Sequence, residues 1–456
     1  MRGFIYSTTW GGSNLSFNNT TVNHLGHLQI GGCDVVDLAD QYGTPLYIFD
    51  EETVIENVRQ YQQALSALPE TEIIYASKAL LTVGIAKLMY NLGLSLDVVS
   101  GGELYIALQA GFDPGRIYFH GNNKSIEELV MALNAGVGRF VVDNLHELYL
   151  LSELAKQTGQ TANILVRIMP GVEAHTHSYI QTGQLDSKFG ISILHNQAHA
   201  ALTLAAELPN ISLKGIHCHI GSQIFEVESY AATVDVMFNF IAEMREQGIK
   251  LQELDLGGGL GIKYLPDDPA VPIRVFGDFL VETIRNAAEK YHLPLPKIMI
   301  EPGRSLIGAA GTTIYRIGSI KQHIGGRTYA AVDGGMGDNP RVALYQAKYH
   351  AIVANKANQQ PESVYTVVGK YCESGDVLIH NIALPHLEAG DLLAVFSTGA
   401  YNYSMSSNYN AVPRPPIVTV YRGESEVVVE RETYADLIRL HRIPDRWLQL
   451  LKERSQ

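Results

Sequence analysis

The sequence predicts an α/β protein, a (β/α)8 barrel joined to an antiparallel β-barrel or sandwich domain. Eight short apolar runs alternate with helix-like segments between residues 73 and 300, the rhythm and span of a barrel of this class. After residue 310 the texture changes to β-branched runs separated by Gly, Asp and Pro, which reads as antiparallel sheet. The third observation is positional. Glycines and polar residues gather just after the barrel runs, where such barrels build their sites.

Residues 1–24 read as an N-terminal extension, because Met1-Arg2-Gly3-Phe4-Ile5 continues into Ser, Thr, Gly and Asn instead of an apolar leader core. Residues 25–50 hold the β-type pieces Leu28–Ile30 and Pro45–Phe49 and are expected to join the C-terminal β domain. Helical periodicity from Glu51 to Leu68 opens the barrel domain, residues 51–310. Its strands are expected at Ile73–Ser77, Ser95–Val99, Arg116–His120, Arg139–Val142, Asn163–Ile168, Leu213–His219, Glu253–Leu256 and Lys297–Ile300. A doubly wound open sheet is the alternative, but no GxGxxG follows the first strand. The connection from Gly171 to Leu213 is long, and its polar segment His175–Gly190 is expected to cover a site. Residues 311–456 form the β domain. Its strands are expected at Ile314–Ile317, Tyr329–Val332, Ala351–Val353, Val364–Val368, Leu392–Phe396, Ile417–Tyr421 and Val427–Glu430, with closing helices over Thr433–Lys452.

With 46% apolar and 18% charged residues, the chain has the composition of a soluble protein with a substantial core. No stretch is long and apolar enough to span a bilayer. A formal net charge of -13 argues against nucleic-acid binding. Cys33, Cys218 and Cys372 make neither a disulfide framework nor a CxxC pattern, and the histidines form no HExxH array. A reducing, cytoplasmic location without a metal site is expected.

The strand ends supply the chemistry. Lys78 closes the first strand in Tyr75-Ala76-Ser77-Lys78-Ala79, either as a lysine snorkelling at the rim or as an amine poised to bond a carbonyl. His219 ends the sixth strand and Ser222 follows it, Gly257-Gly258-Gly259 follow the seventh, and Glu301 and Arg304 the eighth. Alone, each has a plain structural reading: a satisfied core histidine, a structural serine, a tight turn, a salt-bridge partner. Together they describe an amine, a phosphate cradle at the usual strand 7–8 position, a flat imidazole and a carboxylate. That set fits pyridoxal 5'-phosphate, in which a lysine holds the aldehyde and a carboxylate keeps the pyridine nitrogen protonated.

These motifs carry a resemblance. Tyr75-Ala76-Ser77-Lys78-Ala79, His217-Cys218-His219-Ile220-Gly221-Ser222-Gln223, Asp255-Leu256-Gly257-Gly258-Gly259 and Glu301-Pro302-Gly303-Arg304 resemble the alanine-racemase-fold decarboxylases that use pyridoxal 5'-phosphate. Asp338-Asn339-Pro340-Arg341 with Tyr345, Tyr371-Cys372-Glu373-Ser374-Gly375-Asp376 and Gly399-Ala400-Tyr401-Asn402 are similar to those of the diaminopimelate decarboxylases. The resemblance implies Lys78 as the Schiff-base lysine and His219 as the ring-stacking residue. It implies Ser222, Gly258, Gly259 and Tyr401 around the phosphate and Glu301 on the pyridine nitrogen. Arg304, Arg341, Tyr345 and Glu373 would bind the distal end of the substrate, and Cys372 would return a proton after carbon dioxide leaves. It also implies a homodimer whose sites are shared, with the Cys372-Glu373 segment supplied by the partner chain.

The residue types agree with that substrate. Arg304 and Arg341 can grip a carboxylate, and Glu373 can take a distal ammonium. Substrates without a distal carboxylate need acids there and no arginine pair. The plain reading of Arg341 is a tie between a turn and the surface. For Cys372 it is a buried inert thiol, but Lys370, Glu373 and Asp376 are neighbours that suit a proton donor, and the glutamate would keep the thiol protonated. Cys33 and Cys218 read as structural. Cys218 alternates with His217 and His219 and so points away from the cofactor face. The competing readings are an ornithine- or arginine-type decarboxylase, a catalytically dead regulator and a small carrier of the same cofactor.

Overall fold

The computed structural model describes residues 19–172 and 187–448. Eight parallel strands close into a barrel: Thr71–Ala76, Ser95–Val98, Ile117–Phe119, Arg139–Val142, Ala162–Met169, Ile211–His217, Glu253–Asp255 and Lys297–Ile300. Consecutive strands pair, and the last returns to the first through Ile298↔Thr71 and Ile300↔Ile73. Closure removes the open edges of the doubly wound alternative.

Side chains alternate between the inside and the outside of the barrel. Outward residues such as Tyr75, Leu96, Phe119, Phe140, Val166 and Ile300 join the main core beneath the helices. Inward residues form three levels. At the N-terminal end Arg139 pairs with Glu253 and Lys297 with Glu72. Above them Ile74, Tyr118, Val141, Leu165 and Met299 form a separate apolar plug. At the C-terminal end Asp97, His120, Arg167, His217 and Glu301 line a cavity. The plug closes the floor, so the polar level opens in one direction only.

Short polar caps turn the first four strands into the helices that follow them. Thr82, Ser100, Ser125 and Asn144 accept backbone N–H groups at the starts of Val83–Asn91, Gly101–Gln109, Ile126–Ala135 and Leu145–Gln157. The eighth strand is followed only by the four-residue helix Arg304–Ile307. Glu51–Leu65, which precedes the first strand, packs against Ile273–Lys290 and fills that place. Gly277 permits the approach, because a Cβ there would meet Ala64.

The second sheet contains Leu46–Asp50, Gly311–Gln322, Thr328–Val332, Ala351–Val353, Ser363–Val368, Val377–Leu384, Leu392–Phe396, Ile417–Tyr421 and Glu424–Val429. It is mostly antiparallel, but Thr328–Val332 runs parallel to Ser363–Val368, and Leu46–Asp50 to Ile417–Tyr421. Sequence reasoning missed Val377–Leu384. His380 and Asn381 interrupt its apolar run, Asn381 has φ 53°, and its pairing with Ser363–Val368 slips register twice.

Within residues 25–50 only Leu46–Asp50 enters this sheet. Thr20–Val22, Leu28–Ile30 and Cys33–Asp34 form a three-stranded sheet of their own, and Val35–Tyr42 is a helix capped by Asp34. These pieces reach the β domain by packing, since Leu28, Ile30, Val35 and Leu38 share a core with Ile48, Phe396 and Val418. At the other end Tyr434–Ile438 is helical and a second helical stretch covers residues 445–448, beyond which the residues lie outside those described. Most of the segment His175–Gly190 lies outside the described residues as well. Among the described residues, no helix is long and apolar enough to cross a membrane.

Candidate active site

Lys78 sits just past the first strand, which ends at Ala76, on a 3-10 turn over Ser77–Ala79. The turn is held from two sides. Ser77 donates its N–H to Asp97 at 2.9 Å, and the Ala79 carbonyl accepts from the Tyr401 N–H at 2.8 Å and the Ser404 hydroxyl at 3.0 Å. Tyr401 makes this approach with φ 66°, a conformation that a bulky side chain adopts only when its surroundings impose it. Lys78 therefore projects from a fixed backbone into a cavity of about 720 Å³.

Glu301 faces that cavity from the eighth strand with an imidazole on each oxygen. His120 Nε2 lies 2.7 Å from Oε1 and His217 Nε2 lies 3.1 Å from Oε2. Burial favours the neutral carboxyl, but the two imidazoles outweigh it and hold Glu301 well below the usual carboxylate range. Burial pulls His217 down to about 4 against the opposing pull of Glu301, so its ring is neutral at neutral pH. Asp255 goes the other way, raised well above its usual value by burial and by the Glu301 charge. Burial lifts Asp97 to about 6. At neutral pH Glu301 is therefore an anion, Asp97 is largely one, and Asp255 is neutral.

The seventh-strand glycines bring backbone close to the same wall. Gly257 donates its N–H to Asp255 at 2.9 Å, and Gly258 donates to His219 Nδ1 at 3.2 Å. A Cβ on Gly258 would overlap the Glu301 carbonyl oxygen, and one on Gly259 would come within 2.6 Å of the Gly221 carbonyl oxygen. Burial, then the charges of Lys78 and Arg167, pull the His219 imidazole well below its usual value. Lys78, His219, Ser222, Gly259, Arg304 and Tyr401 share a side cleft of the cavity. Gly258 is not in it; its N–H turns to His219.

Arg304 and Arg341 both line the cavity and are buried, and neither forms an ion pair with an acid among the described residues. Arg304 donates to the Ser222 hydroxyl at 2.9 Å and to the Tyr264 hydroxyl, and its guanidinium stacks 4.7 Å from the Tyr401 ring centre. Arg341 lies 4.8 Å from the Tyr264 ring centre and donates to the Tyr349 hydroxyl at 2.6 Å. Tyr349 in turn reaches Asn402 at 3.2 Å, one residue from the backbone contact that fixes the Lys78 turn. Tyr345 lines the same cavity.

Cys372 and Glu373 stand apart. Both are exposed on a turn after Tyr371, and neither lines the cavity of this chain. The Cys372 N–H donates to Asn410 at 2.8 Å, and Glu373 accepts from the Gly375 N–H at 3.2 Å. Sequence reasoning placed Asp97, His120 and His217 among the strand ends that converge on the rim but gave them no role, and it passed over Tyr264. Parity along the strands was an available signal, because His217 and His219 alternate with Cys218 and so share the inner face.

Comparison with known proteins gives the same picture. The family described as "Pyridoxal-dependent decarboxylase, pyridoxal binding domain" matches residues 52–308. The diaminopimelate decarboxylase of Bacillus subtilis is 50% identical over 420 residues, covering 92% of this chain and 96% of that protein. Among solved structures, the diaminopimelate decarboxylase of M. jannaschii in complex with L-lysine is 36% identical, with a TM-score of 0.88 over 95% of this chain and 99% of that one. The Helicobacter pylori enzyme complexed with L-lysine is 30% identical, with a TM-score of 0.82 over 89% and 99%. With an amine, a glycine cradle and an anionic carboxylate facing one cavity, and relatives aligned along almost their whole length, this chain belongs to the diaminopimelate decarboxylase family of pyridoxal-dependent decarboxylases.

Proposed function

We propose that the cavity binds meso-2,6-diaminopimelate, and that the chain catalyses its decarboxylation, dependent on pyridoxal 5'-phosphate, to L-lysine and carbon dioxide, the last step of lysine biosynthesis. The observation that carries the substrate is the pair of buried guanidiniums, Arg304 and Arg341, without an acid partner among the described residues. Two unpaired buried cations call for an anionic ligand. A substrate whose far end is a bare ammonium would add to their charge.

The residues fit the cofactor on three counts. A lysine amine projects into the cavity, glycine backbone lines the adjacent cleft beside Ser222, and Glu301 is a buried anion able to face a protonated pyridine nitrogen. When bound, the cofactor supplies the electron sink for the pair left by departing carbon dioxide. Lys78 would hold its aldehyde and yield to the substrate amine. His219 would lie against its ring, with Ser222, Gly258, Gly259 and Tyr401 about its phosphate. Arg304, Arg341 and Tyr345 would hold the distal carboxylate, and Glu373 the distal ammonium. Cys372 would return the proton to the carbon that lost its carboxylate.

Cys372 and Glu373 lie off the cavity of their own chain, so a second copy would supply them, in a homodimer with shared sites located in the cytoplasm. Mixing Lys78→Ala with Cys372→Ala protein tests this. Each is expected to be inactive alone, and the mixture to recover roughly a quarter of wild-type activity, the statistical share of intact sites in randomly paired dimers. No recovery despite subunit exchange would remove the shared-site reading. The substrate itself is tested by assaying purified protein with diaminopimelate, ornithine, arginine and lysine. Lysine formed from diaminopimelate alone is the expected result; turnover of ornithine or arginine instead would overturn the arginine-pair reading.

A further inference from the structure

We infer that His217 is a positioning residue, donating a hydrogen bond that keeps Glu301 ionised and fixed in the orientation in which it would meet the pyridine nitrogen. The inference rests on the reading of Glu301 as partner of the pyridine nitrogen. Its basis is the convergence of three strands on one carboxylate. Glu301 comes from the eighth strand, His120 from the end of the third, and His217 from the sixth, at 2.7 and 3.1 Å from different oxygens. The two rings meet edge to face, with centres 4.9 Å apart. The carboxylate cannot turn without losing one of them.

A carboxyl buried without donors takes up a proton. A neutral Glu301 would offer the pyridine nitrogen no counter-charge, and the ring would lose its pull on electrons. The His217 side chain is 1% exposed, so solvent does not substitute for it. Asp97, His120, Arg167, His219, Asp255 and Glu301 are the ionisable groups around it. Asp97, lifted to about 6, is largely anionic at neutral pH and adds to the negative charge, whereas Asp255, raised by burial, by the Glu301 charge and by a side-chain hydrogen bond with Glu301, is a neutral donor beside His217. Burial also keeps the His217 ring neutral, so its contribution is an N–H directed at the carboxylate. It acts through Glu301 and need not touch the substrate.

Three variants test this in the cofactor-loaded enzyme. His217→Leu removes the donor, His217→Gln places an amide N–H near the Nε2 position, and His217→Asn stops short of it. The Leu variant is expected to lose about tenfold or more in kcat with KM within about threefold. It should also bind pyridoxal 5'-phosphate more weakly and shift the pH profile of the bound cofactor's absorbance. The Gln variant should regain most of all three. If the Leu variant fails to fold by circular dichroism, Gln against Asn makes the same comparison. Equal behaviour of Gln and Leu, or of Gln and Asn, would overturn the donor role, as would a Leu variant with wild-type kcat and absorbance profile. Borohydride trapping of the cofactor on wild-type Lys78 separates the two readings, since failure there would count against the cofactor site and leave His217 out of account.

Discussion

Arg341 is 7% exposed, yet its guanidinium meets tyrosine rings and a tyrosine hydroxyl in place of a carboxylate. Stacking on Tyr264 and the hydrogen bond to Tyr349 hold the group flat and aimed without neutralising it. A residue prepared this way acts through binding. Arg341→Ala is therefore expected to lower kcat/KM for diaminopimelate roughly 10- to 100-fold, mainly through KM, as befits loss of one or two charge-assisted hydrogen bonds. Steady-state kinetics check it, and an unchanged KM with reduced kcat would place Arg341 in the chemistry instead. Lys78 differs in kind. Its position depends on a backbone turn clamped by Asp97 and Tyr401, so a flexible amine is carried on a fixed support.

At the scale of elements, the turn after the third barrel strand shows how a loop beside the cavity is kept rigid. Lys124 is fully buried and donates to the Gly121 carbonyl at 2.8 Å, the Val141 carbonyl at 2.8 Å and Glu147 at 2.6 Å. One ammonium thus ties the His120-Gly121-Asn122 turn to the fourth strand and to the helix Leu145–Gln157. Removing one partner of such a pair strands a charge in the interior. Lys124→Met is expected to destabilise the protein by about 3–5 kcal/mol, leaving Glu147 without its counter-ion. A fall in the urea midpoint measures this; the double variant Lys124→Met with Glu147→Leu should recover part of the loss. The same logic explains the seventh-strand glycines, where any Cβ on Gly258 would push the eighth strand and Glu301 away.

For the whole molecule, Asp338 links the β domain to the loop that carries Arg341. Its carboxyl accepts from the Gly335 N–H at 2.9 Å and meets the Tyr315 hydroxyl, while its backbone carbonyl accepts from Tyr47. Burial lifts it to about 7, with Asp376 and Asp333 adding to the rise against the hydrogen bonds from Tyr315 and Gly335. A carboxyl raised in the folded state binds its proton more tightly there than when unfolded. Its contribution is therefore full below the unfolded value near 4 and lost as pH rises through about 7. Asp338→Asn mimics the neutral form. It should stabilise the protein at pH 8 by up to roughly 4 kcal/mol, with the difference shrinking toward pH 5; thermal melts across that range decide it, and a constant difference would count against the account. The sequence by itself determined the barrel, because periods of 2 and 3.6 are local, and it determined the lysine, the glycine run and the Glu301–Arg304 motif, because each follows its own strand. Tertiary structure alone decided that His120 and His217 share Glu301, that Tyr264 lies between two arginines, and that Tyr401 clamps the Lys78 turn. Those are contacts between residues far apart in the chain. Strand parity says which face a side chain takes, but the partner it meets is set by barrel closure and by how the second sheet packs against the rim.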